Sequence, residues 1–175
     1  MSSLVISGDT SGAITLAAPA VSGTNTATLP AATGTVMVSG NMPAFSAYTN
    51  ANLTATGGVA TKVLFQVKEY DTNNNFASST FTPTVTGYYQ LTTQLECAAG
   101  AQNYAAVSFY KNGSIYARGT NYPASASAGP VLIGSCIMYF NGTTDYAEVY
   151  VAANNNITVN NVAYTKFQGV LVRAA

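Results

Sequence analysis

The chain has no histidine and no tryptophan, two cysteines, and 7% charged residues among its 175, against a typical ~25%. Without histidine there is no Ser-His-Asp triad, no Cys-His pair and no imidazole ligand for a metal. Two cysteines are too few for a structural zinc site. Six Lys+Arg balance six Asp+Glu, so the cationic footprint that a phosphate backbone demands is missing and no nucleic-acid partner is expected. No apolar run approaches the ~18 residues of a membrane span, so no membrane insertion is expected. The first residues, Met1 to Asp9, have no basic region and no long apolar stretch, unlike a secretory signal. Six carboxylates still suffice for an acid pair, yet none stand together; a non-enzyme with no catalytic residues is expected.

Hydrophobic residues make up 48% of the chain, with seven Phe and twelve Tyr. That is enough for one sizeable core plus an appendage. The chain divides near residue 42. Between Asp9 and Lys62 there is no charged residue. Residues 1–41 are mostly Ala, Thr, Ser, Gly and Val. Short alternations recur at Ala13 to Leu16, Thr26 to Leu29 and Thr35 to Val38, separated by Ser11-Gly12, Ser22-Gly23, Thr33-Gly34 and Ser39-Gly40. Each reads as a strand of three to five residues. Such strands bury too little to stand alone. Either the segment is a flexible linker or it is a stem in which identical chains complete each other's sheets; the alternation favours the stem.

From residue 42 to 175 the pattern is all-β. Lys62 to Val67 is a predicted strand, and Phe81 to Val85 a short one whose Pro83 marks an edge or an end. Tyr89, Leu91, Thr93, Leu95 and Cys97 alternate with polar residues, the period of a half-buried strand. Ala105 to Tyr110 and Ser114 to Arg118 flank Asn112-Gly113, a hairpin signal. Val131 to Phe140 and Tyr146 to Val151 flank residues 141–145 and read as a second hairpin. Lys166 to Arg173 is the last strand. Many short strands and no helical period predict a sandwich.

Particular residues carry a resemblance. Pro43-Ala44-Phe45-Ser46-Ala47, then Phe65, Asp71 and Phe76 at matching spacings, then Phe81, Gly87 and Tyr89, then Tyr110-Lys111-Asn112-Gly113, and finally Phe167-Gln168-Gly169-Val170-Leu171 occur in this order. Residues 43–173 thereby resemble the globular head of complement component 1q, of the tumour necrosis factor superfamily. Two departures stand out: Phe81 follows Phe76 after four residues where the pattern has six, and Leu91 replaces a Phe. The resemblance implies a jelly-roll of about ten strands that assembles as a homotrimer. Phe45, Phe65, Phe81, Gly87, Tyr89, Phe140, Phe167 and Gly169 are the candidate core and trimer-packing residues, with Gly87 placed where a side chain would block a tight turn. Some members bind calcium near the threefold axis. Asp71, Asp145 and Glu148 are isolated in this sequence, so no metal site and no cofactor are expected.

A second resemblance lies in the first segment. Thr28-Leu29-Pro30-Ala31-Ala32-Thr33-Gly34-Thr35 is similar to segments of tailed-bacteriophage fibre proteins. Together the two imply a trimeric virion fibre protein, attached to a phage particle by residues 1–41 and exposed on the virion surface. Its head would bind a host-surface glycan or protein, or decorate the particle. The alternatives are a purely structural capsid or tail decoration, or a secreted adhesin. Tyrosine gives large contact area at low entropy cost. Tyr104, Tyr116, Tyr122, Tyr146 and Tyr164 lie near loops or strand ends, and Asn154 and Asn155 lie in an Asn run. The first four tyrosines and the two asparagines are the receptor-binding candidates; packing between copies is the competing role. Cys97 and Cys136 fall on strands that the resemblance makes sheet neighbours. Free thiols are expected there rather than a disulfide if assembly occurs in a reducing compartment.

Overall fold

The computed structural model describes residues 3–21, 23–26, 31, 34, 36–38, 40, 42–100, 104–122 and 129–175, with Ser3 and Tyr122 as backbone only. The chain forms two compact units, Met1–Gly34 and Thr35–Ala175. In the first, β1 (Ser3–Ser7) pairs with β2 (Ala13–Ala17) in an antiparallel hairpin. Its loop is closed by the Gly8 N–H donating to the Gly12 carbonyl at 3.0 Å. Leu4 lies opposite Leu16 and Ile6 opposite Ile14, so one face of the hairpin is apolar, and all four side chains are more than half exposed. The fibre-like motif from Thr28 to Thr35 lies outside the described residues except for Ala31 and Gly34. Val36, Met37 and Val38 are irregular where the sequence predicted a strand, and Met37 packs against the core of the second unit.

The second unit is all-β and antiparallel throughout. Its strands are β3 (Ala44–Tyr48), β4 (Leu53–Ala55), β5 (Thr61–Lys62), β6 (Val67–Asp71), β7 (Phe76–Ala77), β8 (Thr80–Phe81), β9 (Gly87–Glu96), β10 (Ala105–Lys111), β11 (Ser114–Tyr122), β12 (Val131–Phe140), β13 (Ala147–Ala153), β14 (Ile157–Val159) and β15 (Lys166–Ala174). One sheet runs β12-β9-β15-β3-β6; the other runs β11-β10-β13-β8-β7 with β5 beside β13. A ribbon β14-β4 closes one end. Eight of these strands are long and five have two or three residues, a jelly-roll-like sandwich with short accessory pieces where about ten strands were predicted.

The inward faces meet in an aromatic cluster. Phe45 on β3 stacks on Phe76 and Phe81 of the opposite sheet, with centroids 4.8 and 4.3 Å away. Phe167 on β15 meets Phe45 edge-on at 5.0 Å, and Phe65 and Phe109 tilt against Phe167. Phe140 and Tyr89 close the other side of Phe81. A ring pair of this kind contributes ~0.5–1.5 kcal/mol beyond its area burial. Gly169 sits under the cluster: a Cβ there would stand 2.5 Å from Phe45 and 2.7 Å from Leu91. Gly87 is tight for a different reason from the predicted turn. It is the first residue of β9, and its absent Cβ leaves room for the Arg173 carbonyl of β15, 2.4 Å from that position.

Asn112 and Gly113 have φ of 51° and 79° and join β10 to β11 as a two-residue turn. The second predicted hairpin is absent. β12 pairs with β9 while β13 pairs with β10, so residues 141–145 cross between the sheets. Phe140 and Ala147 both point into the core from opposite layers. The arch between them is braced by Asn141 Oδ1, which accepts the N–H groups of Thr143, Thr144 and Asp145, each at 3.0 Å.

The predicted strand from Lys62 to Val67 is also broken. The chain leaves β5 in one sheet and enters β6 in the other, burying Val63 and Phe65 as it crosses. Away from any ladder, the Phe65 N–H donates to Ser79 Oγ at 2.8 Å. Ser78 and Ser79 have φ of 50° and 59° and form the two-residue turn between β7 and β8. This turn accommodates the shortened Phe76–Phe81 spacing and aims both rings at Phe45. The strand predicted from Phe81 to Val85 stops at Phe81, because Pro83 has no N–H to continue a ladder. Replacing Ser79 by Ala leaves the buried Phe65 N–H unpaired. The expected loss is about 1–3 kcal/mol, read from urea unfolding midpoints; an unchanged midpoint would contradict this role.

Candidate functional site

The tyrosines and asparagines picked from the sequence do not gather at one place. Ala105 pairs with both Tyr122 and Ala153, so Tyr104, the Tyr122 backbone, Asn154 and Asn155 share one end of the six-stranded sheet. There the Tyr104 N–H donates to Asn154 Oδ1 at 2.9 Å, and the Asn154 N–H donates to the Tyr104 carbonyl at 3.1 Å. These bonds make Asn154 a brace of the loop. Tyr146 lies at the other end of β13, roughly 26 Å away at ~3.3 Å per residue. It exchanges hydrogen bonds with the Asn112 turn, its N–H donating to Asn112 Oδ1 at 2.9 Å. Tyr116 is half exposed, and its hydroxyl donates to the Ile137 carbonyl at 3.1 Å, tying β11 to β12. The Tyr122 side chain lies outside the described residues.

A different surface brings apolar residues together. On the outer face of the five-stranded sheet, β12 presents Val131, Ile133, Ile137 and Tyr139, and β15 presents Val170 and Val172. Tyr88 on β9 lies opposite Tyr139, with ring centroids 5.4 Å apart. Ile133 and Ile137 are each 54% exposed. The same strand buries Leu132, Met138 and Phe140 on its inner side. β12 is therefore apolar on both faces, as strands covered on both sides are. That run of apolar residues at both parities was the available sequence signal. Toward the far edge the face turns polar: Gln168 Nε2 donates to Ser46 Oγ, Ser46 Oγ donates to Glu69, and Lys166 pairs with Glu69 at 2.6 Å.

The carboxylates proposed as isolated each have local partners. Asp71 accepts from the backbone N–H groups of Asn75 and Phe76 and pairs with Lys68. Asp145 accepts from Asn112 Nδ2 at 2.7 Å and pairs with Lys111 at 2.9 Å. These contacts hold its carboxyl below the ordinary value, the Asn112 bond most of all. Glu69 is lowered chiefly by its hydrogen bond with Lys166. For Glu148, burial pushes upward, but Lys62, Thr80 and Tyr150 outweigh it and the net shift is down. Among the described residues no three His, Cys, Asp or Glu side chains cluster as a metal site would need.

Cys97 and Cys136 are both free. Cys97 directly follows β9, the neighbour of β12, but Cys136 of β12 pairs with Leu91, six residues back along the chain from Cys97. That offset is about 20 Å at ~3.4 Å per residue, against the roughly 7 Å limit for a disulfide. Burial raises the Cys97 thiol to about 12 and the Cys136 thiol to about 11.

The globular domain of zebrafish complement 1qA protein matches at 18% identity and TM-score 0.56, covering 76% of this chain and 99% of that one. Murine APRIL at pH 5.0 matches at 12% identity and TM-score 0.59, over 75% and 99%. Eiger TNF from S. frugiperda matches at 11% and 0.55, over 77% and 93%. The globular unit has a complement 1q and tumour necrosis factor-like fold. No family model and no curated protein matches the sequence. Among the described residues, no helix is long and apolar enough to cross a membrane.

Two measurements follow from this electrostatics. The folded pKa values of Glu69, Asp145 and Glu148 lie below their ordinary values of 4.5, 3.8 and 4.5. A carboxyl lowered on folding stabilises above its unfolded pKa, and that contribution is lost as pH falls through the folded value. The thermal midpoint should therefore fall as pH drops below about 4.5, and a midpoint constant down to pH 2 would contradict these pairings. A thiol-specific chromogenic reagent at pH 8 should label neither cysteine in the native chain and both in urea. Rapid native labelling would contradict the burial of Cys97 and the raised thiol of the half-buried Cys136.

Proposed function

We propose that this chain is a non-catalytic surface protein whose head assembles into a homotrimer and serves adhesion or decoration. The observation that carries this reading is the strip formed by Tyr88, Val131, Ile133, Ile137, Tyr139 and Val170. Along β12 the row is interrupted only by Ser135, and Val170 stands across the polar Gln90 of β9 from Ile137; an exposed apolar row of this kind on a sheet face marks a site of association. A second copy of this chain is the partner best suited to it, since β12 carries the pattern of a strand covered on both faces. The threefold order comes from the resemblance to complement 1q heads. The 7% charge is consistent with it, because equal residues meet near a symmetry axis, where like charges would repel. The uncovered face of the β1–β2 hairpin favours an attachment stem completed by neighbouring copies over a linker. The setting we propose is the outside of a particle or cell. A tailed-phage virion is the particular setting that the Thr28-Leu29-Pro30 segment favours.

The test is the mass of the full chain in solution. Light scattering should give three times 18.0 kDa, and Ile137→Glu should lower the mass to that of a single chain or leave the copies held by the stem alone. A monomeric wild-type chain would overturn the reading. The adhesion role is tested separately, by retention of the labelled trimer on a panel of bacterial cells; retention on none leaves decoration.

A further inference from the structure

The outer face of the six-stranded sheet carries a second ordered set of side chains. Strand register places Arg118, Ser108, Tyr150 and Lys62 in one row across β11, β10, β13 and β5. The adjacent row is Ile115, Tyr110 and Glu148, continued by Thr80, whose hydroxyl donates to Glu148 at 3.0 Å. Tyr110 and Tyr150 stack with centroids 3.9 Å apart and planes at 28°. Both rings are half-buried, so the stacked pair is held firmly and still reaches the surface.

Charge on this face is unbalanced in a specific way. Lys62 Nζ pairs with Glu148 Oε1 at 2.7 Å, and the Tyr150 hydroxyl donates to Glu148 Oε2 at 3.2 Å. The Lys62–Glu148 charges cancel and both carboxylate oxygens are engaged. All four lysines of the chain have a carboxylate partner. Arg118 is exposed, and its guanidinium has no hydrogen-bond or ion-pair partner among the described residues. It stands two strands from Tyr150, about 10 Å at ~4.8 Å per strand. By register, an arginine without a carboxylate partner among the described residues shares a row with Ser108 and one member of the fixed aromatic pair.

We propose that this face binds a carboxylated saccharide. The guanidinium of Arg118 takes the carboxylate through two parallel N–H bonds. The tyrosine pair offers a rigid, flat, amphipathic surface to the apolar side of a sugar ring, at small entropic cost. Ser108 is placed to hydrogen-bond ring hydroxyls between them. The site lies on the sheet opposite the apolar strip, so assembly through that strip leaves it open. This inference rests on the adhesion reading and deepens it.

The experiment is calorimetric titration of the full chain with tetragalacturonate and α2,8-tetrasialate, with maltotetraose as the neutral counterpart. At least one carboxylated tetrasaccharide should bind and maltotetraose should bind at least tenfold more weakly. Arg118→Ala should weaken the carboxylated ligand tenfold or more, Tyr110→Ala by a similar factor, and Arg118→Lys by less. Equal binding of the neutral sugar, undiminished binding by Arg118→Ala, or binding of neither carboxylated probe would overturn the proposal. So would a fall in assembly mass on Arg118→Ala, which would make that residue a contact between copies. Cell retention separates the two levels: wild type and Arg118→Ala retained equally removes this site but leaves adhesion, whereas no retention of wild type removes adhesion itself.

Discussion

The interlocked rings between the two sheets are the constraint on which the rest of this structure depends. Phe45 and Phe167 come from the five-stranded sheet, while Phe76, Phe81 and Phe109 come from the six-stranded one. Because the rings interleave, neither sheet can slip along the other without breaking several contacts at once. The demands then propagate. Gly169 must stay small beneath Phe45. The left-handed serines at 78 and 79 must reverse the chain within two residues so that Phe76 and Phe81 reach the same ring. Phe65 must enter the core from a segment without a ladder, and the Ser79 hydroxyl supplies the missing backbone partner.

With the core fixed in this way, the two outer faces of the sandwich diverge. The outer face of the five-stranded sheet is apolar along β12 and becomes hydrogen-bonded and ionic toward β6. The opposite face joins a stacked tyrosine pair to a neutralised Lys62–Glu148 pair and to Arg118, which has no side-chain partner among the described residues. In a chain with twelve charged residues in all, four lysine–carboxylate pairs account for eight of them. Little charge remains to keep copies apart. Low charge is thus compatible with close symmetric packing on one face, and the few unpaired charges gain weight on the other.

Much of this was legible in the sequence where local chemistry decides the outcome. Asn112-Gly113 supplies two positive φ values, and the turn forms where the dipeptide stands. The period-two alternation from Tyr89 to Leu95 matches the inward face of β9. What was hidden depends on long-range placement. The segment 141–145 has the length of a hairpin loop, and nothing local says that β12 and β13 belong to different sheets. Lys62 to Val67 has a strand's composition because Val63 and Phe65 are buried in the crossing, although only its two ends, Lys62 and Val67, belong to ladders, and those lie in different sheets. β1 carries no period-two alternation: Leu4-Val5-Ile6 is a three-residue apolar run that gains strand character only from its pairing with β2. The tyrosines near loops stand out in the sequence by position alone. Register disperses them to opposite ends of the sheet and stacks Tyr110 with Tyr150, which lie forty residues apart in the chain.

Assembly through the outer face of the five-stranded sheet is the central claim, and hydroxyl-radical footprinting of the native full chain addresses it directly. Tyr88 and Tyr139 are 44% and 39% exposed in a single chain, Ile137 is 54% exposed, and Ile115 on the opposite sheet is 49% exposed. Strong protection of Tyr88, Tyr139 and Ile137, with Ile115 freely modified, is the expected pattern. Modification of Ile137 at the rate of Ile115 would mean that no second copy covers this face, and would contradict the claim.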